Sequence, residues 1–351
     1  MSRVQSAEQI VGTLGARWQV LRAEQPRLRA RDAAQELGVS EAEFVAAQCA
    51  GEATRLMPDW AAFFAGLPAL GRVMALTRND SCVHERKGVY EPATFMAHAG
   101  LVLGPDIDLR LFPQHWAHLF AVTDHSASPT RHCFQVFDRF GGALHKIYAL
   151  EGTRLEAWAH LAKSMMAIGH PDLAVDPLPP TPIRPRAVAN RDALRADWAL
   201  LKDVHDFPAM LKRHETEPLP AMEAMLGAFT ERLTRSATFD LLNRASAEQV
   251  PIMVFVGNRG IIQIHTGPVE RIVRLDHWLN VLDPDFNLHL REDHIAHCFA
   301  VRKPTSDGML HSVELFDAVG ERIATFFGKR KPGQPELESW RDLVAGLERA
   351  Q

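Results

Sequence analysis

The sequence predicts an α+β protein in which one fold is used twice. Three observations carry this: a repeat at constant offset, helix-like runs opening each half, and strand-like runs closing it. The repeat is the strongest of them. LGPDIDLRLFPQHWAHLFAV (103–122) lies over LDPDFNLHLREDHIAHCFAV (282–301) without a gap, and 11 of 20 positions are identical. The same offset of 179 pairs Met74 with Met253, Asn79 with Asn258, Gly88 with Gly267 and Glu91 with Glu270. It continues through Phe137 and Phe316, Asp138 and Asp317, and Gly141 and Gly320. A register kept this long means that each copy repeats the same strands in the same order.

The first half spans 1–170. Residues 7–66 read as helical, and within them RDAAQELGVSEAEF places Gly38 in a turn and Ser40 as the cap of the next helix. A linker follows at 171–190, where Pro177, Pro179, Pro180, Pro182 and Pro185 remove amide donors and favour an extended path. The second half, 191–351, opens with helix-like sequence to residue 246, interrupted near Pro208 and around Pro218 and Pro220. VPIMVFV (250–256) and HIAHCFAV (294–301) are rich in branched and aromatic residues and read as strands. LHSVELFDAVGERIATFF sets FDxxG between two such runs, the pattern of a hairpin with glycine at positive φ. Antiparallel sheets are therefore expected.

Composition narrows the function classes. Lys plus Arg (39) nearly balance Asp plus Glu (43), a formal charge of −4, so no global positive field draws the chain to nucleic acid or anionic lipid. No stretch reaches the roughly 18 uncharged residues of a membrane span, and the opening MSRVQSAEQIVGTLGARW lacks a signal-peptide core. A soluble, cytoplasmic protein without stable membrane insertion is the expectation. Cys49, Cys82, Cys133 and Cys298 form no C-x-x-C and read as free thiols rather than a zinc knuckle or a covalent haem attachment.

RARDAAQELGVSEAEF, DLRLFPQHW, LKDVHDF, FVGNRGIIQIHTGPV and FFGKRKPG together resemble the HemS/ChuS/HmuS family of bacterial haem-utilisation proteins, over nearly the whole chain. That resemblance implies two large stacked antiparallel sheets flanked by helices, with one haem b, as cargo or substrate, in a cleft between the halves. It implies His205 of the LKDVH motif as the axial iron ligand and Arg110 of LRLF on the distal side, with Phe112 two residues on. Lys303 and Arg330 are implied as propionate contacts, with Phe327 of FFGKR in the haem pocket. The chain departs from the pattern at Asp206, where some members carry further histidines; the next histidine here is His214.

Read on their own, the residues leave more open. On a continuous helix His205 would share an apolar face with Trp198 and Leu201, which suits either a core histidine bonded to a carbonyl or a ligand. In a strand Arg110 projects opposite Ile107 and Leu109, suiting either an Asp-paired surface arginine or a fixed charge over a ring. The offset pairs Lys303 with Asp124, Arg330 with Glu151, Arg110 with His289 and Phe112 with Arg291, so a single asymmetric site is favoured over two equivalent ones. His115 and His118, repeated as His294 and His297, are read as structural, because a spacing of three on a strand points them to opposite faces. His84 and His265 are left for a secondary haem position.

Three functions compete. A haem-degrading enzyme would need an external electron donor, such as a partner reductase, since no GxGxxG is present. A haem chaperone would instead pass its cargo from an inner-membrane importer to a separate haem oxygenase. A helix-turn-helix regulator is the third, but Glu41 and Glu43 after Ser40 repel phosphate and argue against it.

Overall fold

The computed structural model describes residues 13–26, 28–49, 51–125, 129–167, 173–178, 187–330 and 333–350. Most of the linker prolines, from Pro179 to Pro185, lie outside the described residues, as do residues 1–12 and Lys331 and Pro332.

The first half opens with α1 (Leu14–Glu24), α2 (Ala30–Leu37) and α3 (Glu41–Ala46), then β1 (Ala53–Leu56) and α4 (Trp60–Gly66). Gly38 adopts φ 70° and Ser40 caps α3 in a capping box with Glu43, as the sequence requires. Strands β2 (Val73–Arg78), β3 (Cys82–Gly88), β4 (Thr94–Phe95), β5 (Gly100–Leu103) and β6 (Asp108–Leu111) follow. Then come β7 (Trp116–Asp124), β8 (Arg131–Asp138), β9 (Ala143–Ala149) and α5 (Leu155–Ser164).

The second half repeats the plan. It has α6 (Arg191–Ala199), α7 (Phe207–Arg213), α8 (Pro218–Ala224), β10 (Thr230–Leu233) and α9 (Ala237–Ala247). Its strands continue with β11 (Ile252–Gly257), β12 (Ile261–Gly267), β13 (Ile272–Leu275), β14 (Trp278–Leu282) and β15 (Phe286–Arg291). The chain then runs through β16 (His297–Thr305), β17 (Gly308–Phe316) and β18 (Arg322–Gly328) to α10 (Glu338–Ala345).

One expectation is corrected here. Each opening run was read as helical throughout, yet each contains a short strand, β1 and β10, which pair with β7 and β16. Four residues of mixed polarity carry too little alternation to announce a strand; the partner strand supplies the ladder.

Two nine-stranded antiparallel sheets result, ordered β1-β7-β8-β9-β2-β3-β15-β14-β13 and β10-β16-β17-β18-β11-β12-β6-β5-β4. Each sheet is completed by three strands lent from the other half: β15 pairs with β3, and β6 with β12. The two copies are thus interlocked. Ile252, Val254 and Val256 of the second sheet pack in one cluster with Leu279, Val281, Phe286 and Leu288 of the first. In a second cluster, Leu109 and Leu111 of β6, with Ile107 just before it, meet Val73, Ala75 and Phe134.

The repeat is visible as a two-fold relation. Asn79 Nδ2 donates to Gly257 O (3.1 Å) and Ile323 O (2.8 Å), while Asn258 Nδ2 donates to Arg78 O (2.9 Å) and Leu144 O (2.8 Å). Both acceptor pairs are related by the same offset. Each Oδ1 also accepts two backbone N–H groups, from Ser81 and Cys82 or from Gly260 and Ile261. The FDxxG hairpins agree as well: Asp317 Oδ1 accepts from Val319 N and Glu321 N, and Gly320 sits at φ 85°.

Candidate functional site

Register assigns the sequence-predicted residues to faces. In the second sheet, Ile262 lies beside Arg110, which lies beside Leu101; Met253 lies beside Phe327, and Phe255 beside Thr325. With the two-residue alternation of strands, Arg110, Ile262, Met253, Phe255 and Phe327 share one face. All five are half-buried. The Phe255 and Phe327 rings meet edge to face with centroids 5.4 Å apart. Ile107, Leu109 and Leu111 point the other way and are fully buried, so Arg110 does project opposite them.

Over the β16 and β17 end of this face, α6, α7 and α8 pack through Trp198, Phe207, Met210 and Met222 onto Phe299, Val301 and Phe316. The remainder of the face is an apolar floor beside the helices.

His205 stands at the edge of that helical cover, but not as its sequence suggested. α6 ends at Ala199, and a 3-10 turn, Val204–Asp206, intervenes before α7. Trp198 and Leu201 are buried, whereas the His205 side chain is 81% exposed. The expected helical face is broken because Asp203 is extended (φ −144°, ψ 143°) and caps a new turn, and Pro208 then starts α7. Asp203 Oδ1 accepts from His205 N (2.9 Å) and lies 2.7 Å from His205 Nδ1. Nε2 has no protein partner among the described residues. The hydrogen bond from the His205 backbone holds the Asp203 carboxyl below its ordinary range, helped by the imidazole and by the positive field of Arg330. That places Arg330 on the same side of the molecule as His205; it is half-buried and makes no ion pair among the described residues.

Lys303 lies in the same region but faces inward. It is 5% exposed, ion-paired with Glu314, and its ammonium sits 4.5 Å from the Phe207 ring centroid and 5.9 Å from that of Phe327. Burial pushes the Glu314 carboxyl up, but Lys303 and Arg322 (3.1 Å) outweigh it and hold it at about 2. Lys303, which the resemblance implies as a propionate contact, thus shares its charge with a buried carboxylate that nothing in the sequence marks as its partner. Glu314 and Asp203 are the residues that sequence reasoning missed. Asp203 had a signal, two positions before His205 within LKDVH; Glu314 had none, since its partner comes through strand pairing.

The Arg110 guanidinium is ion-paired with Asp108 two residues earlier, on the same face. Burial raises the Asp108 carboxyl, and Arg110 opposes that. Phe112 follows β6, half-buried, its N–H bonded to Gly260 O (3.0 Å).

Other readings change. His84 and His265 are almost wholly buried (0% and 3% exposed), with Phe286 stacked on His265, so neither is open to a macrocycle. The paired histidines do not share a strand: His115 and His294 end 3-10 turns, while His118 and His297 lie on β7 and β16. Among the described residues no group of three or more His, Cys, Asp or Glu could hold a metal ion. Helix α3 is not a free recognition helix, since Ala42, Phe44 and Val45 are buried and Glu41 pairs with Arg78 and Lys146 of the first sheet. No helix among the described residues is long and apolar enough to cross a membrane. Cys82, Cys133 and Cys298 are buried free thiols, pushed up by burial.

These features can be set beside known proteins. The family model described as the haemin-degrading HemS/ChuX domain matches twice, at residues 38–165 and 216–347, once in each half. A hemin transport protein, HemS of Yersinia enterocolitica, is 41% identical over 327 residues, covering 93% of this chain and 94% of its own. The crystal structure of holo-PhuS, a heme-binding protein from Pseudomonas aeruginosa, superposes with TM-score 0.91 at 46% identity, covering 96% of this chain and 99% of that one. The crystal structure of ChuS, an E. coli heme oxygenase, superposes with TM-score 0.86 at 35% identity, covering 95% of this chain and 99% of that one. Matched in both copies and along almost its full length, this chain belongs to the HemS/ChuX family of haemin-degrading domains.

Proposed function

We propose that this chain binds one haem b on the open face of the second sheet and either hands it on or opens its ring. The observation that carries this is an exposed imidazole, His205, with no partner on Nε2 among the described residues, on the turn between the helices that cover the face bearing Met253, Phe255, Ile262 and Phe327; Lys303 bridges the two, 4.5 Å from the Phe207 ring centroid and 5.9 Å from that of Phe327. A porphyrin needs an apolar slot, a neutral nitrogen donor and cations where its propionates emerge. The residues present fit those needs. His205 would hold the iron through Nε2, and Arg110, contributed by the first half, would set a permanent positive charge on the same face. Arg330 makes no ion pair among the described residues, and Lys303 and Arg322 against Glu314 leave one net positive charge in a cluster whose ammonium lies 5.9 Å from the Phe327 ring centroid. Phe112 closes the β6 end of the floor.

Bound haem supplies the redox chemistry; the protein holds it, orients it and shields one face from water. In this reading the protein works in the cytoplasm, receives haem from an importer, and gives it to an oxygenase or takes electrons from a reductase. The relatives' names point both ways, to transport and to oxygenase activity. The two modes separate in one experiment. The haem complex is mixed with NADPH and a reductase, with catalase present, and the Soret band is followed. Decay to a bilin-like product establishes degradation; a stable band followed by transfer to an apo-oxygenase establishes delivery; failure to form any Soret complex refutes both.

A further inference from the structure

The imidazole of His205 is held in a way that its contribution to stability does not explain. One carboxylate oxygen, Asp203 Oδ1, takes both the backbone N–H and the ring Nδ1 of His205. Both side chains are largely in water, at 81% and 55% exposure. An ion pair so exposed adds little to folding.

Its effect on the ring is specific. A carboxylate can only accept, so Nδ1 must carry the proton. A free neutral histidine prefers its proton on Nε2, and that nitrogen would then be blocked as a donor to metal. The contact reverses the preference. It also fixes the ring through two anchors on one atom, and leaves the Nε2 lone pair pointing away from the turn.

We propose that Asp203 is a positioning residue for the haem ligand, selecting the Nδ1–H tautomer of His205 and strengthening Nε2 as a donor through a charged hydrogen bond. This rests on the reading that His205 binds the iron. A carboxylate bonded to the far ring nitrogen of a ligating imidazole orients it and raises its basicity, and losing one typically weakens metal binding about 10-fold to 100-fold.

The test uses the full chain and hemin, with His205→Ala, Asp203→Asn and Asp203→Ala. In the haem-free protein, ring nitrogen shifts of His205, assigned by their loss in His205→Ala, should report the Nδ1–H tautomer in wild type and a mixture or the Nε2–H form in Asp203→Ala. In the reduced haem complex, the iron–histidine stretching band in resonance Raman should fall in Asp203→Asn, which keeps an acceptor but loses the charge, and fall further in Asp203→Ala. Haem affinity should drop about 10-fold in Asp203→Ala. A band lost in His205→Ala but unmoved in both Asp203 variants overturns the proposal alone. A band that survives His205→Ala overturns the ligand reading, and the proposal with it.

Discussion

Removing the Asn258 side chain should destabilise the whole protein by unpinning its two halves. In Asn258→Ala, four hydrogen bonds are lost: two donated to the carbonyls of Arg78 and Leu144 in the other half, and two accepted from Gly260 and Ile261. At roughly 0.5–1.5 kcal/mol net apiece, the sum is about 2–6 kcal/mol. The site is half-buried, so water replaces part of the loss, and about 3 kcal/mol is expected. An unfolding entropy of about 2.1 cal/mol/K per residue over 351 residues turns that into a Tm fall of about 4 °C. Asn79→Ala should do the same, since it makes the symmetry-related bonds to Gly257 and Ile323. Scanning calorimetry on both variants is the assay. If either leaves Tm within 1 °C of wild type, or if only one of the two matters, the two-fold pin is not what joins the copies.

Two further predictions concern buried charge and pH. Lys303→Met strands the Glu314 carboxylate, leaving it Arg322 and the Ser312 hydroxyl, and should cost about 3 kcal/mol or more; adding Glu314→Leu should recover most of it, and a double variant no more stable than the single one would show that the pair is not the cause. Burial pushes His145 down to about 3 and His265 to about 4, and holds His84 well below its ordinary value. All three lie under the unfolded value near 6.5, so the unfolded chain binds more protons as pH falls. Stability is then complete above about pH 7 and is lost on acidification toward the folded values, by about 2 kcal/mol each for His145 and His265 between pH 7.5 and 5. Thermal midpoints across that range should fall, and a flat profile would contradict the buried, neutral assignment.

The duplication was legible because an offset kept across strands, turns and the two asparagines needs no knowledge of pairing. The side of β6 that carries Arg110 was legible too, since alternation decides it locally. The exchange of β4–β6 and β13–β15 between sheets was not, because which strand a ladder joins depends on contacts far along the chain. His205 is proposed through its motif, and its exposure was not legible: the apolar spacing from Trp198 persists in the sequence, while the break at Asp203 is a capping event that periodicity does not register. The inward turn of Lys303 depended on Glu314, a neighbour only through the β16–β17 pairing. The sequence proposes a site drawn from both halves, and three-dimensional pairing decides which of the charges named for it are tied up in ion pairs.

If the His205 imidazole grips a haem against the second sheet, hemin titration of wild type and His205→Ala, followed at the Soret band, must tell the two proteins apart. Wild type should saturate at one equivalent, and the variant should bind more weakly with a shifted Soret maximum. An identical spectrum and affinity in the two proteins would remove His205 from the iron.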